Sequence, residues 1–171
     1  MTCPECGAPL GKGESCADRF HALLAAEVHN AELRRVHGLT VLVWHVQHPR
    51  RTKPWYQAFA ADVLRRAFAG GGDWRSALEE VSERPGGYDR VGERWRQAGP
   101  QKGWERALNE RKAATGTAMP DWVANGPRPG ELTVADIDLA APAGQEAAVL
   151  AWARSVAAHR IPGVAPVACD D

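Results

Sequence analysis

Apolar positions in this chain recur at three and four residues rather than at two. In "DRFHALLAAEVHNAE", Phe20, Leu23, Leu24 and Val28 fall on one side of a helix, with Glu27 among them. The spacing predicts a first helix from Asp18 to about Glu32. A second run, "LRRVHGLTVLVWHVQHP", puts Val36, Leu39, Val43 and Val46 on one face. Its β-branched content suits a strand, but the run is too long for one and contains no turn. Pro49 ends it, because the residue before a proline disfavours helix. Pro54 opens a third helix, "PWYQAFAADVLRRAFAG", which Gly70 to Gly72 close. Asp73 caps a fourth, "DWRSALEEVSE".

Beyond "RPGG", the stretches "YDRVGERWRQA" and "GWERALNERKAA" read as short polar helices or loops, and 115–130 as irregular chain. Thr133 caps "TVADIDLAA", and "GQEAAVLAWARSVAAHR" forms a last helix with Val149, Trp152, Ala153 and Val156 inward. The fold class expected is all-α: an irregular helical bundle with a short N-terminal zinc knuckle. One domain is expected over 1–160, including the knuckle at 1–16, with a flexible tail at 161–171.

Charge changes this picture little. Lysine plus arginine and aspartate plus glutamate each number 21 in 171 residues, which speaks against a dedicated nucleic-acid or membrane-surface protein. The distribution is uneven, with 14 basic and 9 acidic residues in 49–112 against 3 and 7 in 113–171. The longest apolar run, "LTVLVW", is too short to span a bilayer. No basic, then apolar, leader pattern opens the chain, so a cytoplasmic protein is expected.

The cysteines change it more. Three of the four, Cys3, Cys6 and Cys16, lie within sixteen residues, and Cys169 stands alone near the end. In a reducing compartment such spacing reads as metal ligation rather than disulfide formation. "CPEC" turns both thiolates to one side, Gly7 permits the tight backbone, and Cys16 follows after a nine-residue loop. Zinc is the metal this set suits. The fourth ligand follows from helix geometry. A helix starting near Cys16 carries the chain away from the knuckle, and an antiparallel second helix brings its end back. His29 and His37 then lie on the order of 15 Å away or more, while His48 is best placed and His45 second. His21 lies about 140° round the first helix from Cys16. The expected ligands are Cys3, Cys6, Cys16 and His48, a closed sphere of the structural type.

The chain resembles a family of small bacterial proteins of unknown function. The likeness rests on the "CPECGA" knuckle at Cys3 to Ala8, Cys16 before a helix, and His37 with Leu39 to Val41. Gln47 to Pro49, "TVADI" at 133–137 and Trp152 to Val156 complete it. The resemblance implies the fold and the metal site, and no activity.

Two other kinds of function compete with a zinc-stabilised interaction or accessory module whose partner is a protein or small molecule. Asp18 with His21, and His45 with His48, stand one helical turn apart, and two such pairs facing each other hold a catalytic metal in some bundles. On the bland reading His21 and His45 are partly buried residues hydrogen-bonded near the zinc. Arginines beside Trp74, Trp95 and Trp104, notably Arg94, Trp95 and Arg96, suit a partner surface or stacked bases. Seven tryptophans beside three phenylalanines are otherwise core material, and nucleic acid is the less favoured partner. The chain carries no P-loop, dinucleotide glycine fingerprint, H-E-x-x-H or G-x-S-x-G.

Overall fold

Extended backbone at two capping residues sets where the first helices begin. The computed structural model describes residues 1–83, 126–141 and 143–165. Ser15 (φ −109°, ψ 158°) opens α1, Cys16–Ala26, through a reciprocal capping box with Asp18. Helix α1 therefore starts two residues before the expected Asp18, which is its third residue. It also stops short of the expected Glu32. Asn30 is extended (φ −119°, ψ 112°), and its side chain accepts from the N–H groups of Glu32 and Leu33. A residue capping a new helix cannot continue the old one. Val28, placed on the apolar face by periodicity, lies beyond α1 and is 64% exposed.

Helix α2, Ala31–Arg35, and α3, His37–Gln47, divide the expected second run at Val36, whose φ of −106° and ψ of 9° leave the helical region. Pro49 ends α3 as expected, and a 3₁₀ turn covers Pro49–Arg51. Helix α4 is Pro54–Phe68 with proline in its first turn. Helix α5 is Trp74–Glu83, and Asp73 accepts from the N–H groups of Arg75 and Ser76 at its start. Thr133 caps a 3₁₀ turn, Val134–Asp136, and α6 is Gln145–Arg160. No strand occurs among the described residues, and the protein is all-α.

Helix α3 is central. It packs against α4 and α6, α4 packs on α5, and α2 leans on α6. Leu39, Leu42 and Val43 of α3, Ala60, Val63 and Leu64 of α4, and Val149, Trp152, Ala153 and Val156 of α6 are fully buried. The core continues past residue 160 through Ile161 and Val164. Trp74 is buried, with the Arg75 guanidinium 4.3 Å over its ring. Arg94, Trp95, Arg96, Trp104 and Cys169 lie outside the described residues. No helix among the described residues is long and apolar enough to cross a membrane.

Candidate metal centre

The knuckle is a tight reversal before α1. Cys3 donates its N–H to the Ala8 carbonyl at 2.9 Å, and Gly7 donates to the Cys3 carbonyl at 2.8 Å. Gly7 has φ +80°, and a Cβ there would stand 3.0 Å from the Pro127 Cβ. Both the left-handed backbone and the close approach of residue 127 therefore require glycine. The turn directs Cys3 and Cys6 toward the start of α1, where Ser15 fixes Cys16 as the first helical residue.

The fourth member comes from the far end of α3. Helix α1 runs away from the knuckle, α2 carries the chain across, and α3 returns to end at His48. The ligand atoms of Cys3, Cys6, Cys16 and His48 all lie within 4.8 Å of one another, and all four residues are buried. The His48 Nε2 stands 3.2 Å from the Cys16 Sγ and 3.8 Å from the Cys3 Sγ; the Cys6 and Cys16 sulfurs are 3.5 Å apart. Tetrahedral zinc with ordinary bond lengths implies sulfur–sulfur edges of about 3.8 Å and nitrogen–sulfur edges of about 3.6 Å. The cluster has the size of a metal coordination sphere.

The His48 ring is held for this task. Its Nδ1 is 2.7 Å from the Trp44 carbonyl, which can only accept, so Nδ1 carries the hydrogen and Nε2 presents its lone pair to the sulfurs. Trp44 stacks on His48 with centroids 4.4 Å apart, and Phe20 stacks on Trp44 at 4.5 Å. The ring plane is thus set from both α1 and α3. The hydrogen bond with Cys16, followed by burial, pushes the Cys6 thiol up to about 12. A cation taken up here displaces such protons, so its binding is pH-dependent.

The remaining sequence candidates are placed elsewhere. Both Ser15 N–H and Ser15 Oγ donate to the Asp18 Oδ2, which holds that carboxyl below its usual range and commits it to capping α1. His21 is exposed, 5.9 Å from the Phe20 ring centroid. His45 places Nδ1 2.8 Å from the Thr52 hydroxyl, which donates to the His48 carbonyl at 2.9 Å. Burial, then the neighbouring His48, pushes the His45 imidazole down to about 4. Among the described residues, Cys3, Cys6, Cys16 and His48 are the group of three or more metal-ligating side chains that comes together. The facing Asp18–His21 and His45–His48 pairs are not assembled into a second site. His29 is exposed, and His37 meets Glu27 at 2.6 Å away from the knuckle.

Periodicity and spacing pass over a second layer around the centre. The Glu5 carboxylate, inside the "CPEC" turn, accepts from the Arg50 N–H at 2.9 Å. Gln47 donates to the Leu132 carbonyl at 2.7 Å and accepts from the Trp152 indole at 2.9 Å. Arg160 and Glu131 form a bidentate ion pair in which both side chains are almost fully buried. Each of Gln47 and Arg160 stands in register with an apolar stripe: 39, 43, 47 on α3, and 149, 153, 156, 160 on α6. A polar residue on such a stripe is the one sequence signal that points to them.

Fold and centre together define a helical protein in which an N-terminal cysteine knuckle is closed by a histidine from a core helix, in a donor set able to hold a metal ion. The chain belongs to a family of unknown function, DUF5946, whose match covers residues 1–160. No curated protein and no solved structure matches it.

Proposed function

We propose that the centre is a structural zinc site and that the protein is a zinc-stapled interaction or accessory module of the cell interior. The observation that carries this reading is closure. Three thiols and one imidazole supply the four donors that a tetrahedral site needs, and all four residues are buried, His48 fully. A catalytic zinc keeps one position open to water or substrate. Here the fourth position is taken by a ring that Trp44 clamps by stacking and by its carbonyl. Three soft thiolates with one imidazole favour zinc over magnesium, calcium or manganese.

The test is metal content and ligand field. Protein purified without added metal is expected to carry one zinc per chain by elemental analysis. Its cobalt(II) form is expected to show the intense visible bands of a tetrahedral thiolate-rich site. Zinc with a bound water, seen as a cobalt spectrum that shifts on adding small anions, supports a catalytic metal instead. Protein that carries no metal and takes up none refutes both.

A further inference from the structure

Nothing in the donor set explains why a knuckle at residues 3–6 and a helix end at residue 48 should meet at coordination distance. They belong to separate pieces of chain. Apart from the Glu5 carboxylate on the Arg50 N–H, holding them together falls to a third element or to the metal. The structure supplies that element from the other end of the sequence.

Arg160, the last residue of α6, donates through Nη2 to the Glu5 carbonyl at 3.0 Å and through Nη1 to the Gln47 carbonyl at 3.5 Å. Glu5 immediately precedes Cys6, and Gln47 immediately precedes His48. One guanidinium thus spans the two backbones that carry two of the ligands. Its Nη2 also reaches the Gly126 carbonyl at 3.1 Å, beside the Pro127 that abuts Gly7. The Arg160 side chain is 3% exposed and the Glu131 side chain 0%. Arginine suits this position because its planar fork holds several acceptors in fixed directions, which the single ammonium of lysine cannot do. Glu131 neutralises the buried charge and orients the fork; an unpaired guanidinium would not remain there.

We propose that Arg160, held by Glu131, is a positioning residue of the metal centre. It fixes the separation of the knuckle and the end of α3, so that the four ligands are gathered before the ion arrives. The proposal rests on the metal reading above, and couples occupancy of the centre to the docking of α6. Outer groups that orient metal ligands typically alter affinity about 10- to 100-fold when removed. Arg160 differs from most of them in acting on ligand backbones rather than on a ligand ring.

The experiment compares the full-length wild type with Arg160→Lys, Glu131→Gln and Val156→Ala. Zinc affinity is read by competition with a chromogenic chelator, the ligand field by cobalt(II) absorption, and the fold by far-ultraviolet circular dichroism. Val156→Ala opens a cavity in α6 without touching the clamp and serves as the control for general destabilisation. Arg160→Lys and Glu131→Gln are expected to bind zinc about 10- to 100-fold more weakly than the wild type, with altered cobalt bands, while Val156→Ala keeps wild-type affinity and spectrum. Should Arg160→Lys not fold, Glu131→Gln carries the comparison alone. Wild-type affinity and spectrum in the clamp variants overturn the proposal and leave the metal reading standing. Equal losses in Val156→Ala and the clamp variants also overturn it, since stability rather than positioning then governs affinity. A wild type that binds neither ion removes the metal reading itself, and the clamp's role with it.

Discussion

Helix α6 buries polar groups at both of its ends, and the two ends are solved differently. At its start, Gly144 offers no capping side chain, so Glu32 of α2 caps it from outside by accepting from the N–H groups of Gln145 and Glu146. Gln145 donates to the carbonyls of Asp138, Leu139 and Ala141, each at 3.1 Å, and Asn30 donates to its side-chain oxygen. Protein atoms alone complete this end. At the finish of α6, Arg160 and Glu131 also complete one another, but the layer they support is three thiols and an imidazole pressed together. Thiols are weak hydrogen-bonding partners for one another, and under the metal reading a shared cation takes all four donors. The first end is closed by carbonyls, amides and a carboxylate, whereas the second gathers donors suited to a metal ion.

The largest effect that would break this comparison is expected from loss of the proposed metal. Cys6→Ser, or a strong chelator, is expected to destabilise the protein by on the order of 5 kcal/mol, because binding free energy at such a site is folding free energy. The loss is expected to be uneven. Amide exchange should accelerate first in the knuckle, Pro49–Arg51 and 126–133, while Asn30, α2 and the start of α6 keep their protection. A melting curve unchanged with the metal verifiably gone would show that the centre is no staple. Uniform acceleration across both ends would show that they are one cooperative unit.

A smaller effect sharpens the other side. Gln145→Ala removes the partner of three carbonyls and of Asn30 and is expected to lower stability by about 1–3 kcal/mol. The loss should be the same with zinc present or chelated, since the site lies at the opposite end of a 16-residue helix and distant sites add. Thermal melts of the variant and the wild type in both states measure this. A loss that depends on the metal would mean that α6 transmits strain along its length.

The two ends were unequally legible in the sequence, and local chemistry accounts for the difference. Cys3, Cys6 and Cys16 declare themselves through spacing, and His48 follows from helix rise plus an antiparallel return. The helix starts at Thr133 and Pro54 are equally local, since a hydroxyl cap and a fixed φ act within one turn. The division at Asn30 is local too, but it hides inside an alanine- and leucine-rich run. There the competing preference is capping, and capping outweighs three more residues of amphipathic pattern. Arg160, Glu131 and Gln145 are another matter. Their partners lie between 4 and 155 positions away, so no spacing announces the pairing. Gln145 and Arg160 are marked only by their register with an apolar stripe, which shows that they are buried and not what they hold; Glu131, in irregular chain, carries no such mark.

The smallest expected effect is at His45, and it separates the centre from its surroundings. Burial holds its folded pKa near 4, below the ordinary 6.5. Between these values the unfolded chain binds a proton that the folded chain refuses, so stability must fall as pH drops from 6.5 to 4 and then level off for this group. Acid also protonates thiolates and drives off the metal, in the same direction, so the wild-type curve alone does not isolate the imidazole. His45→Asn keeps an amide able to donate to the Thr52 hydroxyl and removes the titration. With zinc saturating, denaturant stability of the two proteins is expected to differ in its slope with pH by about 1 kcal/mol across that window. This lies well below the value a fully buried group would give, because the ring is partly accessible. Parallel curves would mean that His45 takes its proton as readily folded as unfolded. In that case the Thr52 bridge from His45 to the His48 carbonyl is a surface contact rather than part of the sealed layer around the centre.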